Sequence, residues 1–433
     1  MFDVLRKYPE FRKLWFAQLI SQSGDWLSRM ALLGLIGLHS NQAALGVGLL
    51  YGVEMAMRLL PTAFFGPLAG SLADRMSRRA LMITSDVIRS VIVLGYLAID
   101  SEGDLPLLYC LLLGQMSLGI FFESARAASI PNTLPREALH AAYALSAMTW
   151  STVLALGSFA GGALVKLVGV DTVFIVDSLS YLVSAVFVVR MKLPPTPAQA
   201  EAFRWRDIVL FTEMRRAARH VRGLGIGAAI ATKSLWGGAG GYLVMLSVVG
   251  SERFAGAGAD PGTVGFVTGI LFCARGVGTG LGPLLARRFF GSTDRALMRQ
   301  ILGGFTLAAI FYLGFAFSGS LALGFACVVV AHMGGSSLWV ASTVLWQKRV
   351  DDAFRGRVFA LEFFGMTLSF AIGGLIAGLL YDATGSIEET LVCTSAAVLV
   401  SGFLWWRLAR GMRKRDDDLQ ERQVESVEGL DPS

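Results

Sequence analysis

The sequence predicts an all-α integral membrane protein of twelve transmembrane helices, arranged as two parallel six-helix repeats. Three observations lead there. Of 433 residues, 54% are hydrophobic and 16% charged, against roughly 25% charged in a soluble domain, and the mean hydropathy is +0.58. Apolar runs of about 20 residues, the length that spans a bilayer, recur along the whole chain. The second half also repeats the first at a constant offset, residue 79 returning as residue 295. Arg79-Ala80-Leu81-Met82 matches Arg295-Ala296-Leu297-Met298, and Ala144-Leu145 matches Ala360-Leu361. Ala155, Gly157, Gly162, Leu164 and Gly169 match Ala371, Gly373, Gly378, Leu380 and Gly385. Parallel repeats related by an axis along the membrane normal hold a substrate site between the halves, near the midplane.

The elements follow in order. A charged start, MFDVLRKYPEFRK, precedes the first span, 14–38, which is too long for the apolar core of a signal peptide. Spans at 44–69, 80–99, 105–125, 141–168 and 171–190 complete the N-terminal bundle, 1–190. The stretch 191–222 is polar, contains proline and carries seven Lys and Arg residues, eight with Arg190 just before it, so it reads as a cytoplasmic linker. Spans at 224–249, 262–286, 296–317, 320–345, 358–381 and 389–408 form the C-terminal bundle, 223–408, and 409–433 is a polar cytoplasmic tail. Pro61 and Pro283 fall inside spans, where neighbouring helices tolerate them.

The formal charge of +6 is explained by its distribution. Lys and Arg gather in alternate loops, while Asp100, Glu102, Asp104, Asp171, Asp260, Asp382, Glu388 and Glu389 mark the others. That asymmetry places both termini in the cytoplasm, the expected location is the cell (inner) membrane, and no nucleic-acid partner is needed. Cys110, Cys273, Cys327 and Cys393 lie in separate apolar runs and read as small buried hydrophobes. Phosphate loops, zinc motifs and nucleophile elbows are absent from the sequence, so no catalytic residue, metal or cofactor is expected, and the protein is not read as an enzyme.

The loop GSLADRMSRRALM, Gly70 to Met82, resembles the signature loop of the major facilitator superfamily, Gly-x-Leu-Ala-Asp-Arg-x-Gly-Arg-Arg, with Ser77 at the second glycine. FFESARAASIPNTLPREALHAAYAL (121–145), LGSFAGGALVKLVGVDTVFIVDSLSYLVSA (156–185) and VDDAFRGRVFAL (350–361) resemble the branch with the enterobactin exporter and the macrolide efflux proteins. This resemblance implies the major facilitator fold and export by alternating access. It also implies a cytoplasmic gate of Gly70, Asp74, Arg75, Arg78 and Arg79, with Asp74 pairing across the halves in the outward-facing state. Gly157, Gly161 and Gly162 are similar to the exporters' fifth-helix Gly-Pro-x-x-Gly-Gly motif, Ser158 replacing the proline. The arginine often found in the fourth helix of proton-driven members is missing from 105–122.

Ionisable residues at bilayer depth are costly and point to function. Gln18, Ser21, Gln22, Asp25, Ser28 and Arg29 fall on one face of the first helix, where Asp25 and Arg29 are expected to pair. Tyr51, Glu54 and Arg58 repeat the device in the second. Lys233, Arg275 and His332 face few acids in their half, Glu362 being the main one. Asp177, near the outer end of the sixth span, reads as structural.

Asp25 and Glu54 are therefore the expected proton-coupling residues, and Gln22, Arg29, Arg58, Lys233, Arg275 and His332 the expected cavity lining. The expected function is proton-coupled export of a small amphiphile, a siderophore or a drug, with anionic or zwitterionic cargo favoured. The partners are then the substrate, protons and the lipid bilayer, and a monomer is compatible with that reading. The alternatives are a lysolipid flippase or importer of the same fold, or a non-transport membrane sensor or enzyme.

Overall fold

The computed structural model describes residues 3–40, 45–193 and 210–428, and of 210–213, 352, 353 and 412–428 only the backbone. Among the described residues the secondary structure is helical. A short α1 (Asp3–Lys7) leads into α2 (Pro9–Ser40), α3 (Val47–Arg75), α4 (Arg78–Leu94), α5 (Leu105–Ser129), α6 (Leu139–Val168) and α7 (Val170–Val189). After the linker come α8 (Leu210–Leu224), α9 (Gly227–Leu235), α10 (Ala239–Val248), α11 (Pro261–Phe290), α12 (Asp294–Ala316), α13 (Leu321–Gln347), α14 (Asp352–Thr384) and α15 (Ile387–Glu428). A helix lies under every span the sequence outlines.

Caps explain several starts. Ser77, Thr293 and Ser320 each accept a hydrogen bond from the backbone N–H three residues on, opening α4, α12 and α13. Asp260 does the same for α11, with Pro261 in the first turn.

Among the described residues eight segments are long and apolar enough to cross a membrane, and one of them, 136–189, holds both α6 and α7. α2 and α3, which carry Arg29 and Glu54, are not among them, nor is the divided seventh span. That span was expected to be continuous over 224–249. In the structure α9 and α10 are separated by a 3-10 turn at Trp236–Gly238, and a π-helix, Val249–Gly256, follows α10. The cause is packing: a Cβ on Gly237 would lie 2.3 Å from Ser369 Cβ, and one on Gly240 only 2.0 Å from Phe370 O, so this helix is pressed into α14. The linker expected at 191–222 contains α8, while 194–209 lie outside the described residues, as does the tail beyond residue 428.

In the first repeat α2 packs on α6 and α7, α3 on α5, and α4 on α5 and α7. In the second, α12 packs on α13 and α15, α11 on α13, and α10 on α14. The repeats meet along two seams, α6 with α11 and α3 with α14. These seams are equivalent under the sequence repeat, and glycine makes both. A Cβ on Gly162 would fall 2.5 Å from Gly265 O, and one on Gly378 only 2.2 Å from Gly48 O, so no side chain fits at either position. Gly162 and Gly378 are partners in the repeat. The sequence thus encodes the same backbone contact twice.

These close approaches lie toward the end of the bundle away from the termini. On the same helices, Gly66 and Gly70 of α3 and Gly280 of α11, nearer the other end, have open space around them. Large apolar side chains such as Val91, Leu156, Phe289, Ile376 and Val400 are exposed around the perimeter, a surface that suits lipid. Cys110 and Cys393 share that exposure, contrary to the expectation that all four cysteines are buried, because they point outward from α5 and α15.

Candidate functional site

Glu54 of α3 is 1% exposed and held by two guanidiniums. Arg29 Nε and Nη2 donate to its two oxygens at 3.1 and 3.2 Å, and Arg58 Nε donates to Oε1 at 2.8 Å. The Arg29–Glu54 pair, joining α2 to α3, is bidentate, the strong geometry for this chemistry. Arg29 also lies over the Trp26 ring at 5.2 Å and over the Phe272 ring of α11 at 4.7 Å, so it reaches across the seam. Arg275 stands 5.8 Å from that same Phe272 ring. Two guanidiniums therefore approach one aromatic ring where the repeats meet. Among the described residues no carboxylate pairs with Arg275. Arg29 and Arg58 thus share one carboxylate, Glu54, while Arg29 and Arg275 share one ring, Phe272.

The pairing expected between Asp25 and Arg29 does not form. Asp25 pairs instead with Arg89 of α4 at 2.7 Å, and the Tyr181 hydroxyl donates to it at 2.5 Å. Gln115 donates to the Tyr181 oxygen at 2.8 Å and accepts from the Tyr96 hydroxyl at 2.8 Å. Arg89 also lies 3.6 Å from Asp86, which accepts from Ser184 at 2.6 Å. Arg89, Asp86, Gln115 and Tyr181 had no role in the sequence reading. A signal existed: Asp86 and Arg89 are ionisable residues inside the third apolar span, open to the same argument as Asp25.

Lys233 is not a lone cation. Its ammonium donates to Glu362 and to Thr343, both at 2.8 Å, and lies 4.6 Å from the Trp339 ring. Trp346 Nε1 donates to the other Glu362 oxygen at 3.1 Å. This pair ties α9, α13 and α14 together and leaves nothing unpaired for a ligand. His332 bonds the Tyr312 hydroxyl at 2.7 Å and is satisfied within its own repeat. Gln22 accepts from Gln18 at 3.3 Å along α2. Of the cations expected to be unpaired in the second repeat, Arg275 remains.

The signature loop closes on its own repeat. Asp74 is 3.7 Å from Arg78, whose guanidinium donates to the carbonyls of Ala73 and Ala128, and Arg79 donates to that of Val189. Arg75 ends α3, and Gly70 adjoins open space. At the opposite end the repeats are latched: Asp382 of α14 accepts from the backbone N–H of Gly48 and of Leu49, both at 2.8 Å. The fifth-helix glycines pack. A Cβ on Gly157 would be 3.1 Å from Trp26 Cβ and one on Gly161 2.8 Å from Leu27 Cα, so α6 lies close on α2 while Gly162 faces α11.

Long apolar helices in two equivalent repeats, with charged residues buried where the repeats meet, define a major facilitator transporter. The chain belongs to the family described as Transmembrane secretion effector, whose model it matches over residues 4–427. It is 26% identical over 423 residues to the putative bacilysin exporter BacE of Bacillus subtilis, covering 95% of this chain and 98% of that protein. To macrolide efflux protein A of Streptococcus pyogenes it is 24% identical over 392 residues, covering 87% and 90%. Among solved structures the nucleoside transporter NupG superposes with a TM-score of 0.69 at 13% identity, over 92% of this chain and 98% of that one. A bacterial homolog of the human lysosomal transporter Spinster, inward-facing and unoccupied, gives 0.70 at 14% identity, over 94% and 98%. At such identities the structures establish the fold alone.

Proposed function

We propose that this protein is a proton-coupled exporter of small anionic or zwitterionic amphiphiles. It works by alternating access in the inner membrane with both termini cytoplasmic. The observation that carries the reading is the cluster where the repeats meet: Arg29 and Arg58 on Glu54, and Arg275 at the Phe272 ring that Arg29 also approaches, with Trp26 as a second aromatic wall. An excess of guanidinium in a low-dielectric site favours a carboxylate, phenolate or phosphate and disfavours a cation. Aromatic faces beside it suit an apolar body, so the cargo has one of each. The efflux proteins it resembles support outward transport. Glycine contacts sealing one end, with open space near the termini end, correspond to a cavity facing the cytoplasm. The bundles 1–190 and 223–408 then move about the two glycine seams.

The test is flux in one vesicle preparation of an anionic dye, a neutral analogue and ethidium. Arg275→Gln should lower anion flux by tenfold or more, about the 1.4 kcal/mol of one charge-assisted contact, and change neutral flux far less. Robust ethidium transport insensitive to the substitution would favour a multidrug exporter. Activity on lysolipid without any dependence on ΔpH would favour a flippase.

A further inference from the structure

Asp25, Asp86 and Asp177 come from three helices, α2, α4 and α7, and converge near one guanidinium, that of Arg89. Arg89 pairs with Asp25 and lies 3.6 Å from Asp86, while no cation of the described residues comes within 4 Å of Asp177. Asp86 and Asp177 are both 0% exposed. Asp86 Oδ1 and Asp177 Oδ2 have no hydrogen-bond partner, and neither has Arg89 Nε. Asp177 is aimed at the α2 backbone beside Asp25: a Cβ on Gly24 would sit 2.2 Å from its Oδ1. The groups facing it are Ser180, which donates at 3.3 Å, and Ser28, together with Asp25, Arg89, Tyr181 and Tyr96 at electrostatic range. The one cation among them, Arg89, is engaged with Asp25 at 2.7 Å.

A buried carboxylate without a cation costs several kcal/mol. A bound proton removes that cost and needs no space. A metal ion needs a shell of several oxygen ligands, and among the described residues no group of three or more acidic, His or Cys side chains could hold one. We propose that Asp177 is a proton-binding site, and that Asp177 and Asp25 exchange occupancy by competing for Arg89. This assignment deepens the export reading above and rests on it for its role in coupling.

Asp25 keeps 22% of its side chain exposed and is the door to cavity water. A proton taken up by an Asp25 oxygen releases Arg89. The freed guanidinium then neutralises Asp177, and the proton on Asp177 Oδ leaves. One O–H bond forms and one breaks, and the charge of the cluster is unchanged. Glu54, with two guanidiniums of its own, has no need of a proton and is a clamp between helices.

The test uses the full-length purified protein and needs no substrate. Infrared difference spectra at neutral pH should contain a carboxylic-acid C=O band that shifts on exchange into deuterium oxide. Asp177→Asn should abolish it, and Glu54→Gln should leave it in place. If Asp177→Asn does not purify as folded protein, Asp177→Glu moves the carboxyl, and the band should then shift in frequency. No such band in the wild type, a band untouched by either Asp177 variant, or a band removed by sodium ions alone would overturn the assignment. Vesicle transport indifferent to ΔpH, with the infrared result intact, would instead defeat the coupling reading and leave the proton site standing.

Discussion

Asp382 gives the sharpest handle on the conformational equilibrium. The start of α3 leaves backbone N–H groups without helical acceptors, and its N-cap residue, Gly46, has no side chain to serve them. Asp382, from α14 of the other repeat, accepts from two of them at 2.8 Å. The cap therefore exists only while the repeats are closed at this end. Removing an N-cap side chain costs typically about 1 kcal/mol, a net loss that already includes what water recovers at an exposed site such as Asp382. Since 1.4 kcal/mol is a factor of ten, Asp382→Ala should raise the open population roughly fivefold. A reporter cysteine at Ser251, which is 2% exposed and faces Gly37 of the other repeat, reads that population. In a background with Cys110, Cys273, Cys327 and Cys393 replaced by serine, an impermeant maleimide added on that side should label about fivefold faster. Asp382→Asn, which keeps one acceptor oxygen, should fall between. Labelling unchanged in a folded Asp382→Ala protein would refute the idea that this contact holds the closed state.

Three further outcomes follow from the same geometry. Gly162→Val and Gly378→Val should both accelerate labelling at the Ser251 reporter, because each prevents its backbone contact; acceleration by one and not the other would break the equivalence of the seams. Lys233→Met or Glu362→Gln alone should destabilise the fold by about 3–5 kcal/mol, while the double variant should recover much of that in thermal melts, and additive losses would contradict the pairing. Asp74→Asn should alter stability by less than about 1 kcal/mol, as expected for an exposed pair, yet slow labelling at Ser251 by weakening the outward-facing state. Unchanged labelling would reduce the loop to a topology signal.

The spans were legible because bilayer thickness fixes their length, and the repeat was legible because Gly157, Gly162 and Gly169 return in register. The signature loop was legible through its residue order. Pairing within the bundle was not. Asp25 and Arg29 stand one helical turn apart, so the sequence favours a local pair, but Arg89, 64 residues away, takes Asp25, and Arg29 turns to Glu54. Lys233 finds Glu362 across 129 residues. Such choices depend on which helix faces which, and a period of 3.6 residues gives the face without the neighbour. The break at Trp236–Gly238 was hidden for the same reason, since it reflects how closely α14 presses on those glycines. Asp177 looked structural near the outer end of the sixth span, and its place beside Asp25 emerges only from the packing of α7 on α2.

The central claim, export of an anionic amphiphile against a proton flow, is met most directly by gradient-driven accumulation in proteoliposomes. Vesicles with an acidic lumen should concentrate a carboxylate-bearing fluorescent amphiphile inside, and collapse of the gradient with nigericin should release it. Asp25→Asn should abolish the gradient dependence while the protein stays folded and inserted. Equal uptake with and without the gradient, or accumulation of ethidium but not of the anion, would contradict the account.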